Sequence, residues 1–391
     1  MSKVFDVIII GGGIMGCSSA LELARRGFKV AVVEKETIGK GPTGKSSAII
    51  RQHYSNKLTA HMALYSLGVF QDFEERVGGE CGFTQTGFIA VVEDKDLAGL
   101  EANIALQREV GIKTALIEAK DFRELMPGVE TGDLIAVAYE PESGYADPYL
   151  TVTSYAQAAR RHGATFFLDT EVTGLKFSSS RIAGVRTTSH DLDAPVVINC
   201  AGAWGAVVAR MAQIDVPIDS CRAQVAFFRR PLGSESPHPV VGDFINATYF
   251  RSETGGITLI GLIDPSEAKA IVDPDAFAEY SDDEFILEAG ERLVKRYPVM
   301  EHSQSTGGYA SLYAITPDWH PIIDQVPGDS GFYICSGFSG HGFKLGPAVG
   351  LMVADLVSGN SDPLFDPTMF GFGRFADDKL IRGQYDYSIV G

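Results

Sequence analysis

Apolar residues follow two rhythms along the chain, and the switches between them mark its elements. Residues 4–10, Val-Phe-Asp-Val-Ile-Ile-Ile, are a β-branched run that predicts a strand buried on both faces. Residues 17–26 then place Ala20, Leu21, Leu23 and Ala24 inward, which predicts a helix with Arg25 and Arg26 at its C-terminal end and Gly27 as its stop. Residues 28–33 are a second strand-like run ending at Glu34, so the chain opens with one βαβ unit.

The helical period returns at 58–75, 95–110, 119–125, 149–162 and 283–296. Strands are predicted at 86–92, 165–168, 182–187, 196–199, 224–229, 248–251 and 256–263. A last strand at 331–335 leads through a glycine-rich run into a helix through Val357, which Gly359 ends. No repeat, low-complexity tract or linker separates the α/β pieces from the strand-rich ones. The expectation is an α/β fold in which a Rossmann-like dinucleotide-binding domain (1–85, 146–216 and 325–391) interleaves with an antiparallel-sheet substrate domain (86–145 and 217–324).

Composition narrows the function. Lys and Arg number 33 against 50 Asp and Glu, for a formal net charge of −17, which repels phosphate backbones and excludes a nucleic-acid partner. Five cysteines without a C-x-x-C pair, and eight histidines without ligand spacing, predict no disulfide framework, no metal site and a reduced, cytoplasmic setting. The uncharged runs at 7–21 and 194–209 carry glycine and polar residues and fall short of the about 20 apolar residues a membrane span needs. The N-terminal run lacks a cleavage site and reads as a strand rather than a signal peptide.

Chemistry concentrates in glycine-rich turns. Gly11-x-Gly13-x-x-Gly16 joins the first strand to the first helix, and Glu34 closes the next strand. Gly11 permits the tight turn, Gly13 lets main chain approach a pyrophosphate, and Gly16 allows close helix–strand packing; Glu34 suits ribose hydroxyls. The motif specifies a dinucleotide without choosing between FAD and NAD. Residues 196–204 read as another strand ending in a small-residue turn at Ala201-Gly202. In the run 336–344, Ser-Gly-Phe-Ser-Gly-His-Gly-Phe-Lys, Lys344 stands at a helix start where the dipole disfavours a cation, so an anion is expected beside it: a flavin O2 or a substrate carboxylate.

Together, the 11–34 unit, Ala48-Ile49-Ile50-Arg51, residues 199–204 and the G-F-S-G-H-G-F-K run resemble the FAD-dependent D-amino-acid-oxidase superfamily, in its sarcosine oxidase/glycine oxidase-like branch. The resemblance implies oxidation of the C–N bond of a small, N-methylated or secondary amino acid to an imine, by hydride transfer to flavin N5. It implies a carboxylate clamp of Arg51 and Lys344, and a pocket tyrosine at Tyr313. The implied FAD contacts are Gly11, Gly13, Ile14, Met15, Gly16, Glu34, Lys35, Ser46, Ser47, Ala48, Val172, Ala201, Gly202, Trp204, Gly337, Phe338, Gly340, His341, Gly342, Phe343 and Lys344.

Three positions depart from the family. Ser311 stands where monomeric sarcosine oxidases attach the flavin covalently through cysteine, so dissociable FAD is expected. Ala48 replaces an arginine. No lysine occurs between Gln224 and Ala268, where those oxidases keep one that promotes reaction with oxygen; Arg251 is the nearest basic candidate. The electron acceptor is therefore O2 or another carrier. His341 reads as a backbone-shaping residue or a base, and His53 faces either the pocket or solvent. Two alternatives stay open: a flavin-dependent 2-hydroxy-acid dehydrogenase, and a flavin subunit of a multi-subunit sarcosine-type complex, hence a hetero-oligomer.

Overall fold

The first β-branched run breaks into two strands in the computed structural model, which describes residues 3–263, 270–328, 330–360 and 362–382. Parts of the expected domain segments and of the lysine-free interval (1–2, 264–269, 329, 361 and 383–391) lie outside the described residues. Lys3–Val4 and Val7–Ile10 pair in different sheets. Asp6 stands between them, its carboxylate accepting the Lys29 N–H at 2.7 Å.

The sheet that carries the βαβ unit has six strands. Their order is Thr165–Phe167, Val30–Val33, Val7–Ile10, Val196–Asn199, Phe332–Ser336 and Ile322–Gln325. The first five run parallel, and Ile322–Gln325 pairs antiparallel at the edge. Burial on both faces explains the near-continuous apolar strands: Val7, Ile8, Ile9, Val30, Val32, Val197 and Ile198 are all inaccessible to solvent. Helices Ile14–Arg25, Pro148–Arg161 and Gly342–Ser358 pack on one face. The other face meets Gly205–Arg210 and a four-stranded sheet ordered Lys3–Val4, Leu192–Asp193, Arg181–Thr187, Val172–Ser178.

An eight-stranded sheet holds the rest. Its order is Gln304–Ile315, Asp219–Arg229, Ile257–Leu262, Thr248–Glu253, Val240–Asp243, Phe88–Val91, Ala136–Glu140 and Ala115–Glu118. It is antiparallel apart from one parallel pair, Val240–Asp243 with Phe88–Val91. Asp283–Arg296 lays Phe285, Ala289 and Leu293 on this sheet. The same helix sends Arg296, 1% exposed, to the fully buried Asp243 at 2.8 Å. A buried pair of this kind is costly to break from one side, so it holds the helix in register.

Several boundaries differ from expectation, each for a local reason. The first helix begins at Ile14, inside the glycine motif. The predicted 58–75 helix stops at Gln71, and a separate turn of helix runs Phe73–Arg76. The last helix begins at Gly342, which puts Lys344 in its first turn. Strands Val172–Ser178 and Gln304–Ile315 carry glycine and polar residues and gave no apolar rhythm. The boundary expected between 324 and 325 cuts through strand Ile322–Gln325, all of which pairs in the six-stranded sheet. Among the described residues no helix is long and apolar enough to cross a membrane.

Candidate active site

Two adjoining cavities lie where these sheets meet. The first opens at the carboxyl ends of the parallel strands, the place where an open α/β sheet takes ligands. Gly11, Gly13, Ile14, Met15, Glu34, Lys35, Val172, Ala201, Gly202 and Trp204 line it. Gly16 does not; it is a packing residue. A Cβ there would stand 1.9 Å from the Gly11 carbonyl oxygen, so only glycine lets the helix approach the strand this closely. Gly13 caps the helix without a side-chain bond, leaving N–H groups of the first turn directed at the cavity, though Thr43 Oγ1 accepts Ile14 N–H at 3.1 Å. Glu34 receives the Gly12 N–H at 2.6 Å on one oxygen and the Glu36 N–H at 2.9 Å on the other. Each oxygen keeps a lone pair, so the carboxylate can both shape the turn and accept a ribose hydroxyl.

At the mouth, Asp275 receives Trp204 Nε1–H at 2.8 Å and Lys35 Nζ at 2.7 Å, while the ammonium stands 3.8 Å from the Trp204 ring centre. The Lys35 hydrogen bond holds the Asp275 carboxyl below the usual carboxylate range.

The second cavity shares Ile14, Met15, Pro42, Thr43, Gly202 and Phe338 with the first. Ser46, Ser47, Ala48, Arg51, Tyr313, Gly337, Gly340, Gly342, Phe343 and Lys344 line it. Arg51 and Lys344 are 5% and 7% exposed. Burial, and next the Arg51 guanidinium, hold the Lys344 ammonium well below its ordinary range. Among the described residues no carboxylate lines this cavity, whose cationic side chains are Lys45, Arg51 and Lys344. The arrangement suits an anion: an incoming carboxylate would restore the charge that two crowded cations disfavour.

Main-chain strain gathers here. Ala48 (φ 50°) and Ser339 (φ 47°) are left-handed non-glycine residues, and both line the cavity. Gly340 (φ 89°) would bring a Cβ within 2.9 Å of the Tyr313 ring.

Three expected site residues fall elsewhere. His341 is 1% exposed and outside the cavity wall; its Nε2 lies 2.7 Å from the Trp319 carbonyl oxygen. Burial, then His320 and Lys344, hold its ring well below the usual histidine range, so it is neutral and shapes the loop. Arg251 is also off the wall. It donates to Ser47 O at 2.6 Å, Ser252 O at 2.7 Å and Glu253 Oε2 at 2.9 Å, and so fixes the Ser47 main chain rather than facing a ligand. Gly16, the third, packs helix against strand.

Sequence reasoning missed Thr43, Phe88, Tyr249 and Tyr309. Tyr249 OH lies 2.9 Å from Ser47 Oγ and bonds Tyr313, whose hydroxyl burial pushes well above its usual range. Tyr309 donates to Lys45 O at 2.8 Å. Tyr249 lay on a predicted strand, but only the fold brings it to Ser47. His53 is buried behind Arg51 rather than facing solvent.

The glycine cradle, helix N-terminus and ribose acceptor define a dinucleotide-binding oxidoreductase fold, with a cationic pocket where the reacting end would lie. A family model described as FAD dependent oxidoreductase matches residues 6–356, and the chain belongs to that family. FAD is its cofactor. The dinucleotide cradle, the open Gly202 turn and the adjoining ring-sized pocket fit that group.

Relatives include human mitochondrial sarcosine dehydrogenase, 27% identical over 90% of this chain. The chain spans 39% of that relative's length. Monomeric sarcosine oxidase of a Bacillus species is 26% identical, covering 97% of this chain and 99% of the relative. Sarcosine oxidase subunit beta of Rhodobacter capsulatus is 24% identical, covering 97% and 92%. Among solved structures, L-proline dehydrogenase from P. horikoshii superposes with a TM-score of 0.89 at 29% identity, covering 97% of this chain and all of that one.

Proposed function

We propose that this FAD-dependent oxidoreductase oxidises the C–N bond of a small secondary amino acid, with Arg51 and Lys344 clamping the substrate carboxylate. One observation carries the reading: both cations, themselves buried, line a single cavity that is free of carboxylates among the described residues and adjoins the dinucleotide cradle. Proline and sarcosine, for which two of these similar proteins are named, are secondary amino acids of the size class proposed.

The chain's own residues supply binding and orientation. A guanidinium and an ammonium converging on one carboxylate leave the substrate little rotational freedom, which fixes the reacting C–H relative to the cofactor. FAD, when bound, supplies the hydride acceptor. Phe88, Tyr249, Leu262 and Ile263 wall the substrate from water. With no carboxylate among the described residues of the wall to hold an ammonium, the substrate amine is bound neutral, and the product is an imine. Gly342, Phe343 and Lys344, the first turn of Gly342–Ser358, line the same cavity, and the N–H groups of that turn would suit negative charge on a bound flavin. The two large sheets divide the labour, the six-stranded one holding the cofactor and the eight-stranded one covering the substrate.

The cofactor is held without a covalent bond, Ser311 standing on the cavity wall in place of a thiol. Among the described residues Arg251 is turned away from the cavity and the apolar Leu262 and Ile263 line it, which supports a carrier other than oxygen as the electron acceptor. Anaerobic titration of the purified holoprotein with N-methylglycine, L-proline, glycine and 2-hydroxy acids tests the reading. Bleaching of the flavin by a secondary amino acid, then slow reoxidation in air and fast reoxidation by a dye, is expected. Bleaching by hydroxy acids alone would overturn the substrate class, and rapid reoxidation in air would overturn the acceptor.

A further inference from the structure

A second buried polar cluster stands behind Arg51, outside both cavities. Glu140 and Ser143 come from the end of strand Ala136–Glu140 and the turn after it, Gln52 and His53 follow Arg51, and Asn103 and Gln107 face inward from helix Leu97–Val110. All six are buried, and Glu140 is inaccessible to solvent. Its Oε2 accepts the Gln52 N–H at 2.8 Å and the Ser143 hydroxyl at 2.8 Å. Its Oε1 faces His53 Nδ1 at 3.5 Å. Asn103 and Gln107 hold the two nitrogens of that ring at 3.3 and 3.2 Å. The His53 carbonyl in turn accepts Arg51 Nη1 at 2.5 Å.

An unbroken chain of contacts thus runs from the Glu140 carboxylate, through the 52–53 main chain, to the guanidinium. Burying it is expensive. Both polar atoms of the Gln52 amide, and Gln107 Oε1, find no hydrogen-bond partner among the described residues. A core that needed only packing would be better filled by apolar side chains, so a cluster this polar beside the pocket calls for a functional reason.

We infer that Glu140 is a positioning residue for substrate recognition: it fixes the 51–53 turn so that the His53 carbonyl aims the Arg51 guanidinium at the carboxylate. The register supports this. Ile49–Ile50 pairs with Gly144–Tyr145, so the residues flanking Arg51 and those flanking Ser143 are laid side by side by one small sheet. The role is hydrogen-bond acceptance at a fixed point, which a glutamine can reproduce and an alanine cannot. The inference rests on the proposed clamp, and its test separates the two.

Benzoate has no hydrogen to transfer and benzamide is its uncharged counterpart; their dissociation constants are read from the flavin absorbance change of the purified holoprotein. Wild type is expected to prefer benzoate. Glu140→Ala should raise the benzoate Kd about tenfold and leave benzamide unchanged, whereas Glu140→Gln should stay within about threefold of wild type. Ser143→Ala, which removes one donor without opening a large cavity, should cost the preference about threefold and serves if Glu140→Ala does not fold. A purely structural role would lower flavin content or thermal stability without shifting the ratio of the two constants. If Arg51→Ala, or the wild type itself, shows no preference change or no preference, the clamp falls and the inference with it. If Arg51→Ala loses the preference while Glu140→Ala or Ser143→Ala keeps it, or Glu140→Gln fails as badly as alanine, the inference alone is overturned.

Discussion

The two cavities are neighbours built on opposite plans. The cradle at the strand ends brings main chain to its wall at Gly11, Gly13, Gly39, Gly41, Ala201 and Gly202, with Trp204 and Met211 among the larger side chains beside them. Its charges are mixed, with Glu34, Glu36 and Glu171 beside Lys35. The adjoining pocket sets large side chains, Phe88, Tyr249, Tyr309, Tyr313 and Phe343, among its glycines and serines, and among the described residues its charges share one sign. Backbone recognition tolerates exchange of side chains but has no room for an added Cβ. Side-chain recognition loses affinity by degrees, one group at a time. The first plan therefore fails all at once, and the second fails in steps.

Gly16→Val should show the abrupt failure. Its Cβ would stand 1.9 Å from the Gly11 oxygen, so helix and strand must separate and the cradle cannot form. Soluble protein with no flavin band, or no soluble protein, is expected from the absorbance ratio of flavin to protein. A full complement of flavin would break the comparison.

Graded loss is expected at the other cavity. Arg51→Ala and Lys344→Ala each remove a charge-assisted contact of roughly 1.5–3 kcal/mol, so kcat/KM should fall by about 10- to 100-fold while flavin content holds. Steady-state kinetics on flavin-normalised protein decides it. Loss of flavin in step with activity would show that these cations serve the cradle as well.

How much of this was legible follows the same division. The Gly11–Glu34 cradle is a contiguous motif whose purpose is written in main-chain sterics, so spacing alone located it. The family resemblance, on the glycine-rich run and Ala48–Arg51, suggested Arg51 and Lys344, and the structure lines one cavity with both. Strand Gln304–Ile315 stayed hidden because it carries Gly307, Gly308 and several hydroxyls, yet it supplies Tyr309, Ser311 and Tyr313 to the wall. Arg251 misled because nearness in sequence is not nearness in use. It shares a strand face with Tyr249 but stands roughly 7 Å farther along, where Ser47 O captures it. His341, read as backbone-shaping or a base and also implied as a FAD contact, lies off both walls: the glycines beside it let the loop turn its ring to the Trp319 carbonyl.

Lys344 makes the pocket's single-sign charge testable by pH. Burial and Arg51 depress its proton affinity in the free protein, and a bound carboxylate should raise it. Binding then takes up a proton between the two values. Benzoate affinity should be greatest below the depressed value and weaken, by at most about tenfold per pH unit, as pH rises through it. Burial also holds the His341 ring well below its usual range and pushes the Tyr313 hydroxyl well above its own. Lys344→Met should flatten the profile; an unchanged slope would assign the proton to another group.

The smallest effect belongs to the clasp at the cradle's mouth, and it sharpens the contrast most. Lys35 and Asp275 look like a strong lock, with a 2.7 Å ion pair, a Trp204 hydrogen bond and an ammonium against an indole face. Both side chains are nevertheless open to solvent, at 31% and 61% exposure, and exposed pairs contribute about 0–1 kcal/mol. If the cradle works by main chain, Asp275→Asn should weaken FAD binding by no more than about fivefold, read as the Kd for FAD of deflavinated protein. High salt should erase most of that difference, since screening acts on exposed charges. A hundredfold loss from this one surface carboxylate would mean that side chains hold the cofactor too, and the two plans would merge into one.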